Sequence, residues 1–557
     1  MDEAGAPLNL ATMFEAVADV LGDRVILSHA GIDHTYRDLE ARANRLARVL
    51  RELGIGPNDH VAVHLRNRIE YVETVLACLK LRAVPINVNY RFTPAELQYL
   101  YADSDSVVLI IGEADLPAAL DAAADCPQLR DVLVLGPVGG DAGPAAPDLA
   151  AHRAAADTAG VSLHDYAALT AAQSEQRLGI ARSADDQMII YTGGTTGYPK
   201  GVQWRHEDLY FAALSGANLR GEPRRTVTEL VSAARASDEV RPLIVIPPLM
   251  HGNAIFSVLI ALLAGTHRVI VDKFDPAAIL ALVDRYDAMG MTVVGDGMAR
   301  PLLDQMRLPG APDVSRIEVI GSGGALLSDE VKAGIQHFAP KVRFIDSFGS
   351  TETGQDGVLE SGPGGIKYAV AKHPDLRLVG DDLQPVGVGE EGNFARLGHV
   401  PLGYYNDPVK TAETFRMIEG RRAAVLGDRG RLTEDGRIVF LGRGSTCINT
   451  GGEKVFPEEV EQALKAHPQV GDAIVVGVPD ERMGSAVAAV IAPTGARGTL
   501  APGEEAELTA SITAHCREVL AGYKVPRHYR YVPAATRTAS GKADYRWAAR
   551  QFESPGT

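Results

Sequence analysis

Between residues 35 and 345 short apolar runs of strand length keep alternating with segments of helix length, a rhythm that admits few architectures besides layered α/β. Thr35 and Asp38 form a capping pattern that opens a helix whose apolar positions Leu39, Ala43, Leu46, Leu50 and Leu53 recur at spacings of three and four. Gly54 ends it. A second helix is predicted around 72–81, and strands at 61–65, 107–111, 188–191, 243–246, 269–271, 292–294, 317–320 and 342–345. The longest apolar stretch, 254–265, is stopped by His267 and Arg268, well short of the roughly 20 residues that cross a bilayer, and predicts a buried helix. Two stretches are expected to be surface loops: 136–160, dense in Gly, Ala, Pro and Asp, and the polar 221–241.

Near Gly427 the texture changes to short strand pieces with turns, as in 430–442, and beyond Gly451 helix and strand return in a smaller unit. A chain of 557 residues exceeds what one core usually supports. The expected division is a large N-terminal α/β domain at 1–442, a hinge at 443–446 and a small α+β domain at 447–557. The formal net charge of -16 disfavours nucleic acid and anionic lipid as partners, and Arg220, Arg224 and Arg225 read as a solvated loop. Cys78, Cys126, Cys447 and Cys516 lack CxxC pairing or nearby histidines, which argues against zinc and against a disulfide framework. A reducing cytoplasm fits such cysteines, the acidic Met1-Asp2-Glu3 start is unlike a secretory signal, and the sequence leaves a homodimer open.

The feature richest in chemistry is Tyr191-Thr192-Gly193-Gly194-Thr195-Thr196-Gly197-Tyr198-Pro199-Lys200-Gly201, directly after an apolar strand. Glycines let backbone N–H groups curl around phosphate oxygens, hydroxyls add donors, and Lys200 supplies positive charge. Such a run suits a polyphosphate cradle, and equally a plain glycine hairpin. No Gly-Lys-[Ser/Thr] opens a helix after it, so it is not the Walker pattern.

Taken with the motifs downstream, this loop resembles that of the adenylate-forming superfamily: acyl-CoA synthetases, peptide-synthetase adenylation domains and luciferases. The likeness covers nearly the whole chain. It implies that Thr192, Gly193, Gly194, Thr195, Thr196, Gly197 and Lys200 handle the β- and γ-phosphates of ATP. Ser347-Phe348-Gly349-Ser350-Thr351-Glu352 resembles the element in which the threonine contacts phosphate and the glutamate holds Mg²⁺, a hard cation suited to oxygen ligands. Gly323, Gly324 and Ala325 resemble the adenine-side wall, where missing side chains admit the flat base. Asp428 of Gly427-Asp428 is similar to the carboxylate that accepts from both ribose hydroxyls, and Arg443 to the arginine just before the hinge. Gly451 and Gly452 resemble the loop that lines the coenzyme A thiol's path, and Lys542 of Ser540-Gly541-Lys542 the terminal lysine that stabilises the reacting phosphoryl centre. His251 resembles a gating or carboxylate-side residue, although a lone histidine is often a satisfied core group. Ser445 and Asn449 depart from the pattern, standing where relatives carry a hinge Asp or Lys and a lysine.

The resemblance implies an ATP-dependent acyl-CoA synthetase that forms an acyl-adenylate, releases pyrophosphate and transfers the acyl group to coenzyme A. The segment 247–260 contains no acid, which disfavours an amino-acid substrate. The stretches 201–208, 448–454 and 541–547 resemble synthetases for steroid side-chain or other polycyclic acids, and Gly295, Gly297, Gly323 and Gly324 would leave room for bulk. Medium- or long-chain fatty acids are the alternative substrates. Loading of a carrier protein and a non-catalytic binding relative are the alternative functions, the second disfavoured by the presence of both Glu352 and Lys542.

Overall fold

The computed structural model describes residues 5–138, 145–192, 199–219, 221–238, 241–325, 327–361, 367–371, 375–443, 448–450, 453–480, 484–495, 501–520, 522–538 and 542–553. The chain divides into two compact units. One comprises Met1–Thr292, Ser350–Gln355 and Gly398–Met417, the other Val293–Gly349, Asp356–Leu397 and Ile418–Thr557. The expected hinge lies inside the second unit, within Ile418–Thr557, and residues 444–447 fall outside the described residues.

In the first unit an eight-stranded sheet runs in the order Gly403–Tyr404, Lys200–Arg205, Gln187–Thr192, Val84–Asn87, His60–His64, Ser106–Gly112, Asp131–Leu135, Ser162–Asp165. From Gln187–Thr192 onward the neighbours are parallel, as helical crossovers require. The other end is antiparallel: Gln187–Thr192 and Lys200–Arg205 form a hairpin, joined at its edge by Gly403–Tyr404. A second set of strands in this unit places Arg268–Ile270 between Val25–His29 and Leu243–Val245, all parallel.

The helix Tyr36–Glu52 begins with the expected capping box on Thr35 and buries Leu39, Ala43, Leu46 and Leu50, while Gly54 takes the left-handed φ of +84° just past its end. The apolar helix is Gly252–Ala264, closed by Gly265 at φ +76°. Tyr36, fully buried beside it, donates from Oη to the Leu262 carbonyl at 2.7 Å.

In the second unit, Ser350, Gly354 and Gln355 excepted, the strands Leu376–Val379, Glu391–Leu397, Arg421–Leu432, Ile438–Arg443, Lys367–Ala371, Gly354–Ser361, Arg343–Ser350 and Val319–Gly323 follow one another in that order. Its C-terminal part is a smaller sheet in the order Glu453–Val455, Ile448–Thr450, Gly484–Pro493, Val470–Asp480, with His528–Tyr531 parallel to Gly484–Pro493. Helices Pro457–Lys465 and Pro502–Val519 supply Val460, Leu464, Leu508 and Ile512 to a core with Val475, Val487 and Ile491.

Both expected loops are corrected. Residues 149–159 are the helix Leu149–Ala159, whose alanines are strong helix formers, with Asp148 accepting the Ala151 N–H at its start and Gly160 left-handed at its end. Within 221–241 lies the helix Val227–Ala236, capped by Thr226, which buries Val227, Leu230, Val231 and Ala234. The stripe at spacings of three and four was there to be read, but the flanking prolines and charges hid it.

Among the described residues no helix is long and apolar enough to cross a membrane.

Candidate active site

In the first unit the glycine-rich run connects the two strands of a hairpin: Thr192 is the last residue of one strand and lies opposite Lys200, the first of the next. Gly193, Gly194, Thr195, Thr196 and Gly197 lie outside the described residues. Asn87 fixes the entry to this loop. Its side-chain amide donates to the Tyr191 carbonyl at 2.9 Å and to the Met250 carbonyl at 2.7 Å, and its oxygen accepts the Tyr191 N–H at 2.7 Å. Asn67 does similar work just upstream of His251, donating to the Pro247 and Val271 carbonyls at 3.2 and 2.9 Å and accepting the Leu249 N–H at 2.7 Å. His251 is the residue before helix Gly252–Ala264, in extended backbone, and its side chain makes no capping bond.

The turn Ser350–Thr353 is closed by its own hydroxyls. Ser350 Oγ accepts the N–H groups of Glu352 and Thr353 at 3.2 and 3.1 Å, an arrangement that lets a short polar side chain stand in for a helical turn. The Thr351 carbonyl accepts from the indole N–H of the fully buried Trp204 at 2.9 Å, which ties this turn to the strand that begins with Lys200. Glu352 Oε1 accepts the Tyr404 hydroxyl at 2.8 Å. Burial and the adjacent Glu352 carboxylate both push the Tyr404 hydroxyl well above the usual phenol range, so it remains a donor. Lys200 is ion-paired with Asp407, whose carboxyl that contact holds below the ordinary range. Lys200, Thr351 and Glu352 are thus gathered on neighbouring supports.

In the second unit Gly323 and Ser347 are partners in the parallel pair Val319–Gly323 and Arg343–Ser350. Ser322 Oγ accepts the Gly295 N–H at 3.0 Å. Gly324 takes φ +87°, and a methyl built on it would stand 3.7 Å from Lys542 Cε and 3.9 Å from Val294 Cγ1. A side chain here would therefore be strained by the backbone, while its Cβ would meet the terminal lysine at ordinary van der Waals distance. Ala325 follows in the same turn. Phe348 packs among Phe394 and Phe440 at centroid distances of 5.6 and 6.0 Å, and Gly349 is next to it in the same strand. Asp428 and Arg443 are directly opposed in the antiparallel pair Arg421–Leu432 and Ile438–Arg443.

The hairpin that carries Lys542 is closed by the Thr538 N–H, which donates to the Lys542 carbonyl at 2.7 Å, and by a bridge between Arg537 and Ala543. At its base Arg537 grips Asp472 with Nε and Nη2 at 2.6 to 3.0 Å. Burial alone would raise the Asp472 carboxyl, but the Lys465 and Arg537 cations outweigh it and hold it at about 2. Gly451 and Gly452 lie outside the described residues.

Residues 14–405 match the family described as AMP-binding enzyme, and 459–542 match the AMP-binding enzyme C-terminal domain. The chain belongs to the AMP-binding enzyme family. It is 40% identical to the 3-oxocholest-4-en-26-oate–CoA ligase of Rhodococcus rhodochrous, covering 98% of this chain and 96% of that one. It is 39% identical to the medium/long-chain-fatty-acid–CoA/3-oxocholest-4-en-26-oate–CoA ligase of Mycobacterium marinum, over 98% and 97% of the two chains. Among solved structures, ATP-bound MatB from Rhodopseudomonas palustris is similar with a TM-score of 0.77 and 25% identity over 98% of this chain and 99% of that one. The anthranilate CoA ligase AuaEII in complex with anthranoyl-AMP shares the fold at a TM-score of 0.79 and 23% identity, over 99% and 98%. The chain is accordingly a mixed α/β protein with a large N-terminal and a small C-terminal domain.

For this AMP-binding enzyme the donor set near Glu352 fits magnesium. Among the described residues no three His, Cys, Asp or Glu side chains gather into a cage. Magnesium that arrives with a nucleotide needs only one or two carboxylates, because phosphate oxygens and water complete its shell. A single glutamate steadied through one oxygen by Tyr404 suits that arrangement. Sequence reasoning missed Asn87, Tyr404 and Asp407: each is common in composition and meets its partner only through folding, and no local spacing marks it.

Proposed function

We propose that this chain activates a bulky carboxylic acid, of the steroid side-chain or polycyclic kind or a medium- to long-chain fatty acid, and hands its acyl group to coenzyme A. It is an AMP-forming acid–thiol ligase that uses ATP, Mg²⁺ and coenzyme A. A carboxylate is a poor electrophile because its charge is delocalised, so an oxygen of the acid first attacks the α-phosphorus of ATP and pyrophosphate leaves. The thiol sulfur then attacks the acyl carbon of this mixed anhydride, loses its proton, and AMP departs.

In this reading Thr192 and Lys200 face the departing pyrophosphate together with the loop 193–197, and Thr351 contributes a hydroxyl to the same phosphates. Lys542 places its ammonium where negative charge grows on the α-phosphoryl group and the attacking carboxylate, the task of a preorganised electrostatic stabiliser. Gly323, Gly324, Ala325, Ser347, Phe348, Gly349 and Ser350 border the nucleoside, Asp428 accepts from the ribose hydroxyls, and Arg443 lies beside the nucleotide. His251 stands on the acyl side, and Gly451 and Gly452 line the thiol's approach. Magnesium held at Glu352 would neutralise charge on the leaving pyrophosphate. A division at 443–446 into a body of residues 1–442 and a turning domain of 447–557 would let one site serve both half-reactions. A cytoplasmic location belongs to the same proposal.

What carries the reading is the approach of Lys542 to Gly324, two residues far apart in sequence that are meant to serve one nucleotide. The relatives named above support the acid class. The test is a panel of fatty, aromatic, steroid and terpenoid acids assayed by pyrophosphate release, with and without coenzyme A. Release that requires a steroid or fatty acid, with thioester forming only when coenzyme A is present, is the expected result. Turnover of small aromatic acids alone would overturn the acid class, and acyl transfer only to a carrier protein would overturn the acceptor.

A further inference from the structure

The two charged groups expected to face the triphosphate are supported by one short segment. Tyr404 Oη donates to Glu352 Oε1 at 2.8 Å, and three residues further on the Asp407 carboxylate holds the Lys200 ammonium. The Lys200 ammonium also stands 5.8 Å from the centre of the Tyr404 ring.

This segment is rigid for reasons visible in its bonding. Gly403 and Tyr404 pair antiparallel with Gln203 and Val202, on the same strand that begins with Lys200. The Leu402 N–H donates to the Gln203 carbonyl at 2.7 Å and the Tyr405 N–H to the Gly201 carbonyl at 2.8 Å. Thr411 Oγ1 then closes the turn, accepting the Tyr404 N–H at 2.8 Å and donating to the Asp407 carbonyl at 2.7 Å. A Cβ at Gly403 would come within 2.5 Å of Thr411 Cγ2, so only glycine lets the strand approach the helix this closely. Asp407 divides its two oxygens: Oδ1 caps helix Pro408–Thr414 by accepting the Lys410 N–H at 2.9 Å, and Oδ2 meets Lys200. The Tyr404 ring is buried against Phe415, centroids 5.6 Å apart, which aims its hydroxyl.

We propose that Tyr404 and Asp407 are positioning residues for the nucleotide site, Tyr404 orienting the Glu352 carboxylate toward the metal and Asp407 setting the direction of the Lys200 ammonium. The proposal rests on the reading of Glu352 and Lys200 given above. Groups that hydrogen-bond a metal ligand commonly change metal affinity or activity 10- to 100-fold when removed, because they fix the ligand's rotamer and basicity. Tyr404→Phe removes one hydroxyl and keeps the ring. It raises the Mg²⁺ concentration for half-saturation of adenylation by about 10- to 100-fold. It also weakens Mn²⁺ binding, measured by electron paramagnetic resonance in the presence of α,β-methylene ATP, by a similar factor. The melting temperature stays within a degree or two, and thioester formation from supplied acyl-adenylate is retained. Asp407→Asn keeps an oxygen for the helix cap and deletes the charge. It raises the KM for ATP about fivefold, the scale of one half-exposed ion pair, without moving the Mg²⁺ half-saturation.

An unchanged metal response in Tyr404→Phe, or an equal loss in both half-reactions with a lowered melting temperature, overturns the role of Tyr404. An unchanged KM for ATP in Asp407→Asn overturns that of Asp407. Glu352→Gln separates the two levels. If it shifts the Mn²⁺ and Mg²⁺ responses and Tyr404→Phe does not, the positioning role fails while the site reading stands. If Glu352→Gln shifts neither, the assignment of the metal carboxylate fails with it.

Discussion

A carboxylate and a phosphate that must react carry charges of the same sign, so the residue that matters most is the one that brings a mobile positive charge to both. Lys542→Ala is expected to lose at least ~100-fold in adenylation, the scale of one removed charge-stabilising group. Thioester formation from supplied acyl-adenylate should be retained, and parallel stopped-flow measurement of the two half-reactions checks this. Equal loss in both would contradict the role. Lys542, Glu352 and Asp428 could be proposed from the sequence because each stands in a contiguous motif. Tyr404 and Asp407 were not, since their meaning comes from partners in distant parts of the chain, Glu352 and Lys200.

At the scale of elements, the lysine is only as well aimed as the hairpin that carries it. Arg537 fixes that hairpin to Asp472 in the strand Val470–Asp480, within the same C-terminal sheet. Arg537→Ala is expected to lower the adenylation rate by about 10-fold, the lesser scale of a group acting through another, while substrate KM values stay near those of the parent. Arg537→Lys should recover part of the rate, and steady-state kinetics on the two variants checks both statements. Elements with a clear period of three and four or a β-branched run were readable: Tyr36–Glu52 and Gly252–Ala264 lie where spacing put them. Leu149–Ala159 and Val227–Ala236 were read as loops because Pro, Gly and charge at their flanks dominate the local composition; the first buries only Ala156 and so carries no apolar stripe, while the second does carry one.

For the whole molecule, burial of ionisable groups sets how stability responds to acid. Burial pushes His34, His64 and His206 down from 6.5 to about 4, so each is neutral in the fold at a pH where the unfolded chain already binds a proton. The unfolded state therefore carries more protons between 6.5 and 4, and stability falls as the pH is lowered through that window. Below it Glu15 and Asp472, held at about 2 against the burial that would raise them, withdraw their contribution as the pH drops from their unfolded values. Glu461 acts in the opposite sense: burial lifts it to about 7, so its contribution is present at low pH and is lost as the pH climbs from 4.5 through 7. With His60 and His467 also lowered by burial, and the Glu73 and Asp103 carboxyls also raised by it, the lowered histidines outnumber the opposing carboxyls and should leave a net loss of a few kcal/mol between pH 6.5 and 4.5. Urea midpoints across that range check it, and a flat profile would contradict it.

The edge strand Gly403–Tyr404 completes a sheet whose partner strand, Lys200–Arg205, was synthesised about 200 residues earlier. During translation the chain must therefore carry that edge uncovered for many seconds, with its backbone amides and carbonyls open to any passing strand. Closure of so distant a contact comes late, and a nascent fragment that ends before this strand lacks both the Tyr404–Glu352 hydrogen bond and the Asp407–Lys200 ion pair.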